Sequence, residues 1–548
     1  MARSLLAGLA ALLCLLHVQA STVEDTHYVA AVVDLTVPVN FKLTAEENIM
    51  RNVAALEEFM ASAEKQNVDI IVFPEEGLKG LAVSPYPMAV PAAENNVTPC
   101  EVEDSPKPLR ELSCMAAKYG MYLVVNLVQK VPCTKAEDAK CPSRNYFQYN
   151  TNVVFDRKGK IIARYHKYNL FGEPGNNVPP SVEYVTFDTD FGVRFGMFIC
   201  FDILFDKPSA QLARLQNVTD FVFSAAWFSE VPFLSAVQAH SGWAHALDVN
   251  LIAAAFNYPS SGATGSGIYR GRDGILAYVF NPRAESTMLV RSVPKHGQPS
   301  TATALPLLDQ LDPRNNYASS DTDPVDSVKP LRMIQDNLTM YSTTLMPRPA
   351  VGETQQWEQV VVNNGLRCTF NTRLTGTTLY SMRSAAASIH GASSPARAAA
   401  ADPEEAEAED FDGMYYRVAA FSGVRDHSGV ASTGVQVCGI ISCRNKELSS
   451  CGWNVANLNN PTVRWTEFVN VHITAEFDRQ NTLQFVSTQA GPRYDPLPAY
   501  LYDFASSDGS TGDKQKKSLV LKKPVVDLRT FAIYGRKFDW DGKTPTGY

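Results

Sequence analysis

Long apolar runs are almost missing from this chain of 548 residues. The single one, Leu5 to Val18, stands beside the N-terminus, and it is too short to span a bilayer as a stable helix. Positive charge is not in excess either. Lysine and arginine number 49 against 57 aspartates and glutamates, a net charge of −8, which excludes the basic surface that a nucleic acid needs. There is no HExxH, GxGxxG or P-loop pattern, and no paired CxxC to support a zinc site. No metal or organic cofactor is expected. The last residues, Arg536 to Tyr548, are mostly polar or charged and lack the hydrophobic tail of a GPI signal, so no such anchor is expected. Internal repeats are also missing.

What is present belongs to a folded, exported protein. Hydrophobic residues make up 45 % and charged residues 19 %, a globular composition, and the length fits two domains. Met1-Ala2-Arg3, the apolar run and Val18-Gln19-Ala20 have the order of a signal peptide over residues 1–20, which predicts a secreted, extracellular protein. Ten cysteines fit an oxidising compartment. Cys14 leaves with the leader, and Cys200 is embedded in an apolar strand. The other eight form two clusters, Cys100, Cys114, Cys133, Cys141 and Cys368, Cys438, Cys443, Cys451, each expected to pair within itself. Sequons at Asn96, Asn217 and Asn337 predict a glycoprotein, the first weakened by Pro99.

From His27 to about Val293, short apolar runs alternate with amphipathic segments. Strands are expected at Tyr28–Leu35, Val68–Phe73, Met121–Val128, Thr151–Phe155, Val193–Cys200, Phe221–Ala226 and Leu251–Phe256. Thr44 and Glu47 form a capping box, and Ile49, Val53, Leu56 and Met60 make one helical stripe. This is an α/β layered domain, placed at residues 21–310. Residues 311–548 read as a mainly β domain, with runs such as Trp357–Val362, Tyr415–Phe421, Gly434–Ile441 and Leu483–Ser487. Within it, Arg383–Asp410 holds 11 alanines among 28 residues followed by an acidic run, and is expected to be a disordered surface insertion (383–410).

Three strand ends each present one reactive side chain: Glu75 after Phe73-Pro74, Lys167 after Tyr165-His166, and Cys200 after Phe198-Ile199. Singly, each has a structural explanation, since strands often end in Pro-Glu, lysines snorkel and buried cysteines are usually inert. In this order and context they resemble the nitrilase superfamily of carbon–nitrogen hydrolases, whose triad is Glu, Lys, Cys. Gln148 to Asp156, Cys200 to Phe205, Thr264 to Tyr269 and Cys438 to Cys443 narrow the resemblance to the vanin/biotinidase family. The likeness covers nearly the whole mature chain. It departs at the Ala-rich insertion and at Ala253-Ala254-Ala255-Phe256-Asn257, where a more polar segment beside the pocket is expected.

The resemblance implies a four-layer αββα sandwich followed by a β-rich domain, and a linear amide as small-molecule substrate. Cys200 would attack the carbonyl, Glu75 would move protons, and Lys167 would hold the oxyanion and favour the thiolate. His166 adjoins Lys167, but neighbours in an extended strand face opposite ways, so both cannot face Cys200. Trp227, at the end of Phe221–Ala226, is a candidate to line the pocket or to pack in the core. Pantetheine and biocytin compete as substrates. His240-Ser241-Gly242-Trp243-Ala244 looks closer to the pantetheine-cleaving side. A catalytically inactive secreted binding protein is the alternative from another class, and three chemically competent triad positions count against it. The sequence carries no indication of subunit number.

Overall fold

The computed structural model describes residues 20–81, 84–298, 331–378, 412–452, 463–491, 493–507 and 512–546. The leader, the Ala-rich insertion and the domain boundary near residue 310 lie outside the described residues. Among the described residues no helix is long and apolar enough to cross a membrane.

The chain begins with strand β1 (His27–Asp34), helix α1 (Ala45–Glu64), β2 (Ile70–Val72), α2 (Lys107–Tyr119), β3 (Tyr122–Pro132), β4 (Tyr146–Phe155) and β5 (Ile161–His166). It continues through β6 (Thr186–Asp188), β7 (Arg194–Ile199), α3 (Gln211–Leu215), β8 (Asp220–Ala225), β9 (Glu230–Val231) and α4 (Ala236–Leu247). Four strands follow: β10 (Asn250–Ala255), β11 (Ser266–Arg270), β12 (Gly274–Val279) and β13 (Thr287–Pro294). All of these strands but β9 form two six-stranded sheets, ordered β13-β1-β2-β3-β4-β5 and β12-β11-β10-β8-β7-β6. Each has a core of parallel strands, β1-β2-β3 in one and β7-β8-β10 in the other.

The period-2 alternation of strands explains why both faces are apolar. Ala30, Val32, Ile70, Val72 and Val124 face the second sheet, where Tyr28 meets Phe195 edge-on at 5.5 Å. The residues between them, Ala31, Val33, Ile71, Leu123 and Val125, pack under α1 and α2. The α1 stripe of Ile49, Val53, Leu56 and Met60 is buried there, and the Thr44–Glu47 capping box closes as expected, with Glu47 N–H donating to Thr44 Oγ1 at 3.2 Å. On the far face of the second sheet, Phe198 and Phe221 enclose Trp243 of α4. Each such side chain contributes about 1.5–3 kcal/mol by leaving water. The first half is thus the four-layer αββα sandwich.

The second half is mainly β. A five-stranded sheet contains β15 (Ser342–Leu345), β18 (Tyr415–His427), β19 (Ala431–Cys443), β25 (Leu528–Lys537) and β21 (Thr482–Ala490). Behind it lies a six-stranded sheet of β16 (Thr354–Asn363), β17 (Leu366–Thr378), β20 (Arg464–Asp478), β23 (Lys514–Leu521) and β22 (Tyr502–Ser507), with β24 (Val525–Val526) pairing with β20, while β14 (Ile334–Gln335) pairs with β9. The disulfide Cys368–Cys438 joins these two sheets, and Cys443–Cys451 closes a local loop. In the first half the pairs are Cys100–Cys114 and Cys133–Cys141, so every pair lies within its own cluster.

Helix α4 is apolar nearly all round because it is covered on both sides. Its inner side meets the second sheet and its outer side meets β21. Gly242 sits at that contact, where a Cβ would come within 2.3 Å of the Val486 carbonyl oxygen and 2.8 Å of the Phe485 ring. His240 to Ala244 is therefore packing between the two halves, and none of it lines the large cavity described below. In an exposed helix, Gly→Ala stabilises by about 1 kcal/mol. Here Gly242→Ala is expected to destabilise by about 1–3 kcal/mol through overpacking. Thermal unfolding of the variant beside Ser241→Ala measures this, and an unchanged or raised midpoint for Gly242→Ala would contradict the contact.

Candidate active site

Three strand ends from two sheets converge. After β2, Phe73 still donates its N–H to Val124 O at 3.0 Å, but Pro74 has no N–H to extend the ladder, and the chain turns with Glu75 3 % exposed. Lys167, 2 % exposed, follows β5, its N–H on Asn150 O at 2.9 Å. Cys200 follows β7 in a left-handed backbone conformation at φ 47°, opening the turn Cys200–Leu204. All three line one cavity of about 470 Å³, with Glu76, Lys79 and Glu173 also on its wall.

The Lys167 ammonium lies between two carboxylates, 2.7 Å from Glu75 Oε1 and in contact with Glu173 Oε1. Burial pulls its pKa down, yet the charges of Glu173 and Glu75 prevail and hold it well above the ordinary lysine value. Burial likewise pushes Glu173 up, but Lys167 outweighs it and keeps that carboxylate ionised. Asn150 Nδ2 donates to Glu75 at 2.7 Å and to Glu173 at 2.8 Å, while Ala226 N–H donates to the other Glu75 oxygen at 2.8 Å. Asn126 orients Asn150 by donating to its Oδ1 at 2.7 Å. Both oxygens of Glu75 are thus held.

Cys200 lies against Glu75, and burial followed by the Glu75 charge raises its pKa well above the ordinary thiol value, more than Lys167 lowers it. The Lys167 charge favours the thiolate, and burial and the Glu75 charge oppose it.

Trp227 lines a smaller apolar cavity that also contains Cys200, Phe171, Phe201 and Leu234, and its Nε1 donates to Leu234 O at 2.9 Å. His166 turns away, its ring between Glu183 at 2.8 Å and Gln129 at 2.9 Å. The polar segment expected at Ala253–Asn257 is not beside the pocket. Ala253 to Ala255 are buried in the middle of the second sheet, and Asn257 donates to the buried Asp34 at 2.6 Å. Asn96, Asn217 and Asn337 all stand exposed at turns. Glu173 and Asn150 escaped the sequence reading. Asn150 carried a signal, since Gln148, Asn150 and Asn152 alternate along β4 and put polar groups on one buried face. Glu173 sits in the loop Phe171-Gly172-Glu173-Pro174-Gly175, whose direction no periodicity reveals.

Comparison with known proteins agrees with this architecture. The carbon–nitrogen hydrolase family matches residues 30–245, and the vanin C-terminal domain matches residues 331–541. Vanin-like protein 3 of Drosophila melanogaster is 31 % identical over 532 residues, covering 95 % of this chain and 90 % of its own. Pantetheinase of Mus musculus is 45 % identical over 231 residues, 40 % of this chain and 44 % of its own. Pantetheinase of Homo sapiens is 39 % identical over 297 residues, 52 % of this chain and 58 % of its own. The likeness to the pantetheinases thus spans about half of each protein.

Glu76 is the remaining acid on the wall, in left-handed backbone at φ 64° and paired with Lys79. Burial pushes its carboxyl from 4.5 up to about 7, with Lys79 opposing and Glu75 and Glu173 adding. A folded-state value raised in this way costs the fold nothing below pH 4.5. The cost grows up to about pH 7 and is constant above. Between pH 4.5 and pH 8, the stability of Glu76→Gln relative to wild type should therefore rise by about 3 kcal/mol. Denaturant unfolding at both pH values measures it, and a difference independent of pH would show that Glu76 ionises in the fold as it does in water.

Proposed function

This chain belongs to the vanin family of carbon–nitrogen hydrolases, and on that premise we propose that it hydrolyses pantetheine to pantothenate and cysteamine outside the cell. The observation that carries the reading is the convergence of Glu75, Lys167 and Cys200 on one cavity from the ends of strands in two sheets. The likeness to pantetheinases supports the choice of amide. The disulfide pairs and the three exposed sequons support export as a glycoprotein modified at Asn96, Asn217 and Asn337.

In this reading the proton movements follow one order. Cys200 Sγ attacks the amide carbonyl while Glu75 takes the thiol proton, so the sulfur acquires its charge only as the new bond consumes it. The oxyanion forms beside the Lys167 ammonium and a backbone N–H of the turn after Cys200. Collapse breaks the C–N bond, and Glu75 gives its proton to the departing amine. Water, deprotonated by Glu75, then attacks the thioester, and the carboxylate leaves as Cys200 recovers its proton. One amide and one water yield one acid and one amine. Glu173 and Asn150 hold Lys167 and Glu75 in place throughout.

Cys200→Ala is expected to abolish amine release while secretion persists, since the lost sulfur costs only about 1–3 kcal/mol of packing. Glu75→Gln should nearly abolish it, and Lys167→Ala should lower kcat by about 10² or more. Alkylation should inactivate wild type and substrate should protect it, whereas His166→Ala should stay active. The decisive assay is amine release from pantetheine and from biocytin, side by side, on purified protein. Turnover by Cys200→Ala would remove the mechanism, and faster release from biocytin would replace the substrate.

A further inference from the structure

The turn that carries the nucleophile is gripped from outside its own domain. Cys200 at φ 47° occupies backbone space that is strained for any residue but glycine, and such conformations persist only where their surroundings over-determine them. Part of that restraint is local. Asp202 accepts from Ile199 N–H at 3.1 Å, Asn169 N–H at 2.9 Å and Tyr165 OH at 2.7 Å. The rest comes from the β domain. Arg536 of β25, 1 % exposed, donates Nε to the carbonyl of Leu204, the last residue of the turn, at 2.7 Å. Its guanidinium is held in turn by Asp541 at 2.8 and 3.0 Å. Phe201, next to the nucleophile, packs edge-on against His427 of β18 at 5.3 Å and against Phe171 at 4.9 Å. At the tip of the β18–β19 hairpin, Val430 lies so near Gly172 that a Cβ there would come within 3.1 Å of it. Gly172 precedes Glu173, the second carboxylate on Lys167. Two loops of the cavity wall, one on each side of Cys200, are therefore braced by one face of the other domain.

We propose that the β domain completes the active site, with Arg536 and Val430 as positioning residues that fix the Cys200 turn and the Glu173 loop. The inference rests on the assignment of Cys200 as nucleophile and Lys167 as oxyanion partner. It assigns the second domain a role in the chemical step although, among the described residues, no side chain of that domain lines the large cavity. Misplacing reacting groups by an ångström costs up to about 10² in rate even when substrate still binds.

The test uses full-length secreted protein, with each preparation normalised by titrating its Cys200 thiol so that misfolded material does not count. Arg536→Lys keeps the charge but cannot reproduce the fork. Its kcat per titrated site is expected to fall by about tenfold or more, with KM within about twofold. The rate constant for alkylation of Cys200 should change in parallel. Val430→Gly, at an exposed hairpin tip that tolerates change, should lower kcat by about threefold with KM held, and it decides the matter if Arg536→Lys is not secreted. Wild-type kcat per titrated site in Val430→Gly, or in a secreted Arg536→Lys, would overturn the proposal and leave the β domain as scaffolding. If instead Cys200→Ala were active, the assignment beneath the proposal would fall, an outcome that these variants do not mimic.

Discussion

The ammonium of Lys167, buried between the carboxylates of Glu75 and Glu173, is the constraint around which this molecule is arranged. A lone ammonium taken out of water costs several kcal/mol, and removing one partner from such a cluster leaves a charge with nothing to balance it. Two carboxylates against one ammonium leave an excess negative charge. Asn150, Asn176 and the Ala226 N–H spread that excess by donating to the carboxylate oxygens. This accounts for a run of amides on β3 and β4 where a doubly covered sheet would otherwise be apolar. Burial, and after it the Glu75 charge, raise the pKa of Cys200.

Holding that cluster requires stiffness on all sides, and the layers supply it. One continuous apolar core runs from the first sheet through the second, past α4 and into the five-stranded sheet of the β domain. Polar ties cross the same boundary. Ser487 Oγ donates to Phe233 O at 2.8 Å, Gln489 Nε2 to Ser235 Oγ at 2.7 Å and Thr530 Oγ1 to Pro232 O at 2.8 Å. Arg425, buried between Glu230 and Asp336, adds an ion cluster shared by both halves. Apolar, hydrogen-bonded and ionic contacts all cross the boundary between the two halves.

The sequence was most legible where burial is two-sided. Runs such as Ile70-Ile71-Val72 and Phe195 to Ile199 can only be covered strands, and they mark where the reactive residues emerge. Edge strands such as Thr186–Asp188, β12 and β13 are not separable from loops in the sequence, because half-exposed segments carry weak periodicity. In helix α4, the segment whose composition leans toward pantetheine is packing: Trp243 fills the space between Phe198 and Phe221, and Gly242 answers to Val486, more than two hundred residues away in sequence. Ala253 to Ala255 were expected near the pocket, and their small size instead suits the crowded centre of the second sheet. Glu173 shows the remaining limit: a loop acid is placed by tertiary packing, which no local pattern encodes.

Among the described residues Cys200 is the one free thiol in a chain whose other described cysteines are paired. Disulfide exchange and oxidation to sulfenic acid both proceed through the thiolate. Burial and the Glu75 charge raise the pKa of Cys200, and a sulfur biased toward the thiol reacts more slowly with disulfides and peroxides than a thiolate does. The groups packed around this cysteine thus also bear on its resistance to oxidation.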